Sequence, residues 1–354
     1  MSPRSQRPDS RPQGPRAGGR PKLTDVARAA QVSPAIVSRL LRQDASLRVR
    51  DETRRRVLAA AESLGYTPDE TARALRSSAV GVIGVVVREV SNPVYSEILA
   101  GAQEEAGKAG IALLLADAAE LSRNEKAFER VVRGNRVDGL LLQRGGGTPD
   151  ELVGRIRSSG TPLLLVNDRS RGSVGSVALD DEGATRVATS HLVGLGHSKI
   201  GHLSLGGPQG RSAARSRGWA EVLRESGIPA PPQVVGGHTI ESGLRAFRRL
   251  PQGITALVAS NVMAAVGLMS AARTAGMDVP GDLAIVAVHD VSFAAHLTPA
   301  LTVVRMPLHE LGRRSVRGML GQLSGDSARH DVVVRPAPEL VVRESCGSKN
   351  ATVR

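Results

Sequence analysis

From Val80 onward the chain is written in short, unbroken apolar runs, and that pattern narrows its possible folds more than any other feature. GVIGVVV (81–87), IALLLAD (111–117), VDGLLLQ (137–143) and PLLLVND (162–168) recur about 25 residues apart, each followed by helix-length amphipathic sequence. A strand with one wet face alternates apolar and polar residues, whereas a strand apolar throughout is buried on both faces. Strands of that kind alternating with helices build a parallel sheet covered on both sides. A second set follows in IGHLSL (200–205), ALVAS (256–260) and LAIVAVHD (283–290). The expected fold is an α/β core of two doubly wound parallel-sheet subdomains, each about 120 to 150 residues long. Ligands of such sheets bind beyond the carboxyl ends of the strands, here in the cleft between the halves.

Ahead of this core, residues 22 to 77 have a different grammar. Val26, Ala27 and Ala30 share one face of a helix. Ser33 suits the N-cap of a second helix, and Pro34 suits its first position, where a missing N–H costs nothing. Val37, Leu40 and Leu41 continue an apolar stripe that packs back on the first helix. Such a pair is a helix-turn-helix, whose second helix enters the major groove of DNA. Arg39 suits a bidentate contact to guanine, while Ser33 and Ser38 suit phosphates. Val57, Leu58, Ala61 and Leu64 form the stripe of a third helix, opened by Asp51 or Thr53 and closed by Gly65. The connection 42–50 is slightly long, and Pro68 to Ser78 is too polar to build a core.

The charge distribution agrees with a DNA-binding head. The chain carries a formal +13, and residues 1–80 hold 16 Lys/Arg against 8 Asp/Glu, so under a quarter of the length carries most of the excess. That concentration is a phosphate-binding footprint. Residues 1–21 are rich in Arg, Pro, Gly and Ser, lack an apolar run, and are expected to be a disordered basic tail. The absence of a secretory signal or an apolar stretch near 18 residues predicts a cytoplasmic, nucleoid-associated protein with no membrane partner. One cysteine, Cys346, fits a reducing compartment and excludes a cysteine-based metal site. No histidine spacing suits a metal, RGGGTPDE (144–151) lacks the Lys-Ser/Thr of a phosphate loop, and no nucleophile elbow occurs. Neither catalysis nor a cofactor is implied.

These segments resemble the lactose-repressor (LacI/GalR) family of transcription regulators. The resemblance is carried in order by LTDVARAA (23–30), IVSR (36–39), ETRRRVLAAAESLGYTP (52–68), ARALRS (72–77), VSNPVYSEIL (90–99), RVDGLLL (136–142), HLVGLGHSKIGHL (191–203) and AGMDVPGDLAIVAVHD (275–290). It implies a periplasmic-binding-protein-like core that closes on a small effector. It also implies a hinge helix at the segment matching Ala72 to Arg76, folding on operator DNA with Leu75 wedged into the minor groove. An apolar wedge of that kind accepts unstacking in exchange for a bend and more contact. The domain boundaries expected are a tail at 1–21, a head at 22–68, a hinge at 69–79, a core at 80–343 and a flexible C-terminal tail at 344–354.

The resemblance implies DNA contacts from Thr24, Ser33, Pro34, Ala35, Ser38, Arg39, Thr53, Ala72 and Leu75. It implies effector contacts from Asn92, Tyr95, Asp168, Arg169, Arg215, His238, Ser260, Asn261 and His289. Departures from the family pattern cluster in the pocket. Ser260-Asn261 stands where Asn-Asp is usual, and His289 where the first Asp of the GFDD or GYDD motif is usual. His238 replaces a frequent aromatic, and Met306 a common Gln. Carboxylates and amides at those places grip sugar hydroxyls in sugar-responsive members. With Arg215, His238 and His289 facing one cleft, the alternatives are an anionic effector, a neutral nucleoside, an atypical sugar, or a pocket that has lost its ligand. In the head, Gln31 replaces the usual turn Gly, and Pro34 and Ala35 occupy the base-reading pair without a hydrogen-bonding side chain, leaving apolar contacts and DNA shape to discriminate bases.

A transport-type binding protein would share the core but would need a signal peptide and no head. The expected function is a dimeric, sequence-specific repressor of a pseudo-palindromic operator, governed by a small-molecule effector. SCGSKNATVR (345–354) has no apolar heptads, so a tetramer-forming tail is not expected.

Overall fold

The computed structural model describes residues 21–41, 47–66, 80–88, 90–143, 150–168, 174–207, 209–325 and 331–347. The chain divides into two compact units, 1–76 and 77–354.

The first unit holds α1 (Leu23–Ala29), α2 (Pro34–Leu41) and α3 (Asp51–Ser63) around a small core of Val26, Ala27, Ala30, Val37, Leu40, Val57 and Ala61. Ser33 Oγ accepts the Ile36 amide at 3.4 Å, and Pro34 opens α2, as its sequence requires. Gln31 sits in the turn at φ 54°, the left-handed conformation that glycine adopts without penalty. Two details of the third helix differ from expectation. Asp51 is the first helical residue, preceded by Arg50, which supplies no side-chain cap. Leu58 and Leu64 are 48% and 37% exposed. Two short helices cover only the narrow Val57/Ala61 stripe, and Leu58 lies about 100° around the helix from Val57.

Replacing Gln31 with glycine should relieve about 1 kcal/mol of left-handed strain. Hydrogen exchange should then slow at the Val32 amide, which closes the turn onto the Ala27 carbonyl at 3.0 Å. Unchanged or faster exchange would show that the turn carries no such strain.

The second unit has two sheets. One contains β1 (Val82–Val87), β2 (Ala112–Asp117), β3 (Gly139–Gln143), β4 (Leu163–Val166), β5 (Gly175–Ala178) and β11 (Asp331–Val333), in the order β11-β5-β4-β3-β1-β2 and parallel throughout. The other contains β6 (Ile200–Ser204), β7 (Val234–Val235), β8 (Ala256–Ala259), β9 (Ala284–Val288), β10 (Thr302–Arg305) and β12 (Glu339–Val341), in the order β12-β10-β9-β8-β6-β7. Only the β10–β12 pair in this sheet is antiparallel. In each sheet the strand order reverses beside the first strand, at β1/β3 and at β6/β8, which is where doubly wound sheets open a crevice.

The lobes are not consecutive stretches of chain. Between α4 (Val94–Lys108) and the last long helix lie α5 (Ala118–Arg123), α6 (Glu125–Phe128), α7 (Asp150–Ser158), α8 (Asp181–Gly194), α9 (Gly210–Glu225), α10 (Ile240–Phe247) and α11 (Val262–Thr274). Helix α8 follows β5 of the first sheet but packs on the second. Helix α12 (Leu308–Leu323) follows β10 of the second sheet but packs on α4 and on β3, β4 and β5 of the first. The α4–α12 crossing is backbone on backbone. A Cβ on Gly312 would lie 2.0 Å from the Ile98 carbonyl oxygen, and one on Gly101 would lie 1.9 Å from that of His309.

Glu344–Cys346 forms a 3-10 turn with Ser345 and Cys346 buried, so these residues belong to the core rather than to the flexible tail expected from 344. Ser345 Oγ donates to the Ile285 carbonyl at 2.7 Å and accepts the Thr302 amide at 2.9 Å, stitching the turn to β9 and β10.

Candidate functional site

Most strand ends on this side of the two sheets carry a polar side chain, whereas β6 brings Leu205. Arg88 follows β1, Gln143 ends β3, and Asn167 and Asp168 follow β4. From the second lobe, α9 opens with Arg211, Ser212 and Arg215, His238 follows β7, Asn261 follows β8 and His289 follows β9. A cavity of about 240 Å3, open mouth included, lies between Asn92, Val94, Tyr95 and Gln143 on one lobe and Leu205, Arg211, Arg215, His238, Asn261 and His289 on the other.

Of the expected effector residues, Asn92, Tyr95, Arg215, His238, Asn261 and His289 meet in this cavity. Asn92 and Asn261 also build it, because their Oδ1 atoms accept the Val94 and Met263 amides at the starts of α4 and α11. Ser260 does not face it. Its hydroxyl meets His202 Nε2 at 2.7 Å on the far side of the strand, where burial pushes that imidazole down to about 4. Asp168 is buried against Gly210 at the start of α9 and does not line the cavity; Arg169 lies outside the described residues.

Arg215 differs most from the expectation of a ligand-gripping cation. It is 1% exposed, and its guanidinium is committed inside the protein. Nε and Nη2 reach Asp181 Oδ1 at 2.8 and 2.6 Å, Nη1 donates to the Ser260 carbonyl, and Nη2 donates to His289 Nε2 at 3.0 Å. Asp181, the first residue of α8, carries no motif signal pointing to the pocket, and sequence reasoning missed it. Because His289 Nε2 accepts from Arg215, its proton sits on Nδ1, which is buried and unpartnered. His289 holds φ 80°, a strained backbone for a residue with a Cβ. That turn sends His289 to the cleft and Asp290 away from it, into ion pairs with Arg305 at 2.9 Å and Arg343 at 2.8 Å.

Both cleft histidines are neutral. Burial, with the Arg211, Arg88 and Arg215 charges, pushes His238 down to about 3. Burial with Arg215, Arg211 and His238 holds His289 well below the ordinary range. Among the described residues, the buried side-chain polar atoms without a partner are Arg88 Nη1, Gln143 Oε1, Asn167 Oδ1, Arg211 Nε, Ser212 Oγ, His238 Nε2 and His289 Nδ1. All belong to these strand ends or to the start of α9. Each such atom costs about 1–3 kcal/mol if it stays unpaired. Their concentration at one crevice marks a ligand site, as the topology requires.

In the head, Thr24, Ser33, Pro34, Ala35 and Arg39 are exposed and Ser38 and Thr53 half-buried, while Ala72 and Leu75 lie outside the described residues. Arg48, Arg50, Arg54 and Arg55, not singled out from the sequence, are exposed as well. Among the described residues no helix is long and apolar enough to cross a membrane, and no group of three or more His, Cys, Asp or Glu is placed to hold a metal ion.

A helix-turn-helix unit and a two-lobed sheet core with a ligand cleft, carried in one chain, make a DNA-binding transcriptional regulator with an effector-binding domain. Residues 22–69 match the family described as bacterial regulatory proteins, lacI family, and residues 189–346 match the periplasmic binding protein-like domain. The chain is 30% identical to the HTH-type transcriptional repressor CytR of Escherichia coli K12, over 86% of this chain and 90% of that protein. A LacI family transcriptional regulator from Mycobacterium smegmatis is 35% identical with a TM-score of 0.69, covering 74% of this chain and 98% of that structure. The lac repressor dimer bound to operator and the anti-inducer ONPF is 26% identical with a TM-score of 0.78, covering 93% and 99% of the two chains. The chain belongs to the LacI family of bacterial transcriptional regulators, and it is a regulator rather than an enzyme.

Proposed function

We propose that the chain is a cytoplasmic, dimeric repressor that reads a pseudo-palindromic operator under the control of a small molecule held in the cleft. The observation that carries this reading is the division of labour on α2. Val37 and Leu40 are buried in the head's core, while Ser33, Pro34, Ala35 and Arg39 near the turn are exposed for the major groove. Arg39 reads a guanine, Ser33, Ser38, Thr24 and Thr53 meet phosphates, and Pro34 and Ala35 discriminate by apolar contact and shape. Residues 69–79 act as the hinge, with Ala72 and Leu75 entering the minor groove at the centre of the site. In the cleft, Asn92, Tyr95, His238, Asn261 and His289 contact the effector, and Arg215 fixes His289 and the Ser260 backbone. Asp168 borders the end of β4, and Arg169, the next residue in sequence, is assigned to the same effector-binding segment. The family membership and the lac repressor dimer on its operator support a two-fold assembly on DNA.

Selection of bound duplexes from a random-sequence pool by the full chain tests this reading. An inverted repeat should emerge, and Arg39→Ala should relax one base position per half-site and weaken binding by about 1–3 kcal/mol. Enrichment of no sequence, or an unaltered base preference in Arg39→Ala, would reject the assigned reading head.

A further inference from the structure

Where the chain reaches the core from the head, three successive backbone amides converge on one carboxylate. Val80 is the first described residue after Tyr66, and β1 begins two residues later. Asp138, just ahead of β3, accepts the Val80 amide on Oδ1 at 2.5 Å. Its Oδ2 accepts the Gly81 and Val82 amides at 2.7 and 3.1 Å. Gly81 stands at φ 76°, and a left-handed residue in such a run turns neighbouring N–H groups toward one point, a nest suited to an anion. A carboxylate there makes charge-assisted hydrogen bonds, roughly twice as strong as neutral ones. The grip is reciprocal, because the Asp138 amide donates to the Val82 carbonyl at 2.7 Å. On the other side the Ala112 amide donates to the Gly81 carbonyl at 2.9 Å. The strand ladder itself starts at Val82, so the carboxylate holds the two residues ahead of it, where the sheet requires nothing.

We infer that Asp138 is a positioning residue for operator binding: by gripping the amides of residues 80–82 it fixes where the connection to the head leaves the first lobe. The inference rests on the reading of the chain as an operator-binding repressor. The chain passes from head to core through Val80, so slack at that point loosens the only covalent tie between them. Re-ordering one backbone residue weakens an equilibrium by a factor of about ten. An inverted repeat demands that both heads be held in one geometry, and it therefore feels that slack. Random-sequence DNA is bound through charge on the head and does not.

The test uses the full chain as wild type, Asp138→Ala, Asp138→Asn and Gly81→Ala. A Cβ on Gly81 meets nothing within 4 Å, but φ 76° strains any residue that carries one, so this variant disturbs the nest and leaves the carboxylate in place. Affinity is measured for the selected inverted-repeat duplex and for a random-sequence duplex of the same length, at one salt concentration and well below each melting temperature. Asp138→Ala and Gly81→Ala should lose about tenfold on the inverted repeat and less than about twofold on the random duplex. Asp138→Asn keeps one acceptor oxygen and should fall between Asp138→Ala and the wild type. Hydrogen exchange at the amides of residues 80–82 should quicken in both Asp138 variants, more in the alanine.

Faster exchange at residues 80–82 with the preference for the inverted repeat intact would overturn the inference and leave Asp138 a brace for the sheet alone. Equal losses on the two duplexes would overturn it as well, since a general folding defect lowers both. Unchanged exchange in Asp138→Ala would show that the amides do not depend on the carboxylate. A wild type that binds both duplexes equally would defeat the repressor reading itself, and the inference with it, whatever the variants do.

Discussion

Asp181→Ala should destabilise the core by about 3–5 kcal/mol, because it strands the Arg215 guanidinium in the protein without its counter-charge. Arg215 is 1% exposed and Asp181 5% exposed, so neither can rehydrate without the lobe opening. The pair also holds the Ser260 carbonyl and His289 in place, so the loss reaches the cleft as well as the fold. Adding Arg215→Met to the alanine variant should recover much of the lost stability, since it removes the stranded charge. Cleft binding should stay lost, because His289 is no longer held. Urea unfolding of the wild type, both single variants and the double variant measures the coupling. A cost below about 1 kcal/mol for Asp181→Ala would mean the ion pair is solvated and Arg215 is free to meet a ligand directly.

The second large effect belongs to the α4–α12 crossing. Gly312→Ala places a methyl group 2.0 Å from the Ile98 carbonyl oxygen and 2.7 Å from the Ala102 amide nitrogen, both backbone atoms. A rotamer change cannot relieve such a clash, so the helices must separate, at about 1–3 kcal/mol or more. Gly101→Ala meets the His309 carbonyl from the other side and should cost as much. Gly107, on the same α4, has nothing within 4 Å of its Cβ position. There alanine should stabilise by about 0.5–1 kcal/mol through helix propensity alone. Three thermal melts separate close packing from propensity. Gly312→Ala melting at or above the wild type would contradict the crossing.

Sequence periodicity finds β1, β2, β3, β4, β6, β8 and β9; all but β2 run through a buried interior, whereas β2 sits at a sheet edge, part exposed, with Leu115 41% exposed. It misses β5 (GSVA), β7 (VV), β10 (TVVR), β11 (DVV) and β12 (ELV), which are short or carry polar residues, and β7, β11 and β12 lie at sheet edges. The lobe exchange by α8 and α12 is also invisible in sequence, because an amphipathic helix does not record which sheet it covers. In the head, spacing identified α2 and its Ser33 cap but overestimated the stripe of α3, since Leu58 shares a helix with Val57 without sharing its face.

The site was legible as a set of positions but not as a set of roles. The topology brings Asn92, Tyr95, Arg215, His238, Asn261 and His289 together, as the motifs imply. Which of them offers an open donor depends on long-range partners. Asp181 is 34 residues from Arg215 and commits it, whereas Arg88 and Arg211 stay open without belonging to any motif read from the sequence. Charge in a buried crevice is a property of pairs, and pairs are made by the fold.

Ligand in the cleft should change the affinity of the head for DNA, because one chain carries both. The affinity of the full protein for its selected inverted-repeat duplex, measured at fixed salt with and without a saturating cleft ligand, should change by about 5- to 150-fold. Because coupling is reciprocal, the duplex should change the ligand's affinity by the same factor. An operator affinity that does not move at ligand saturation would contradict it.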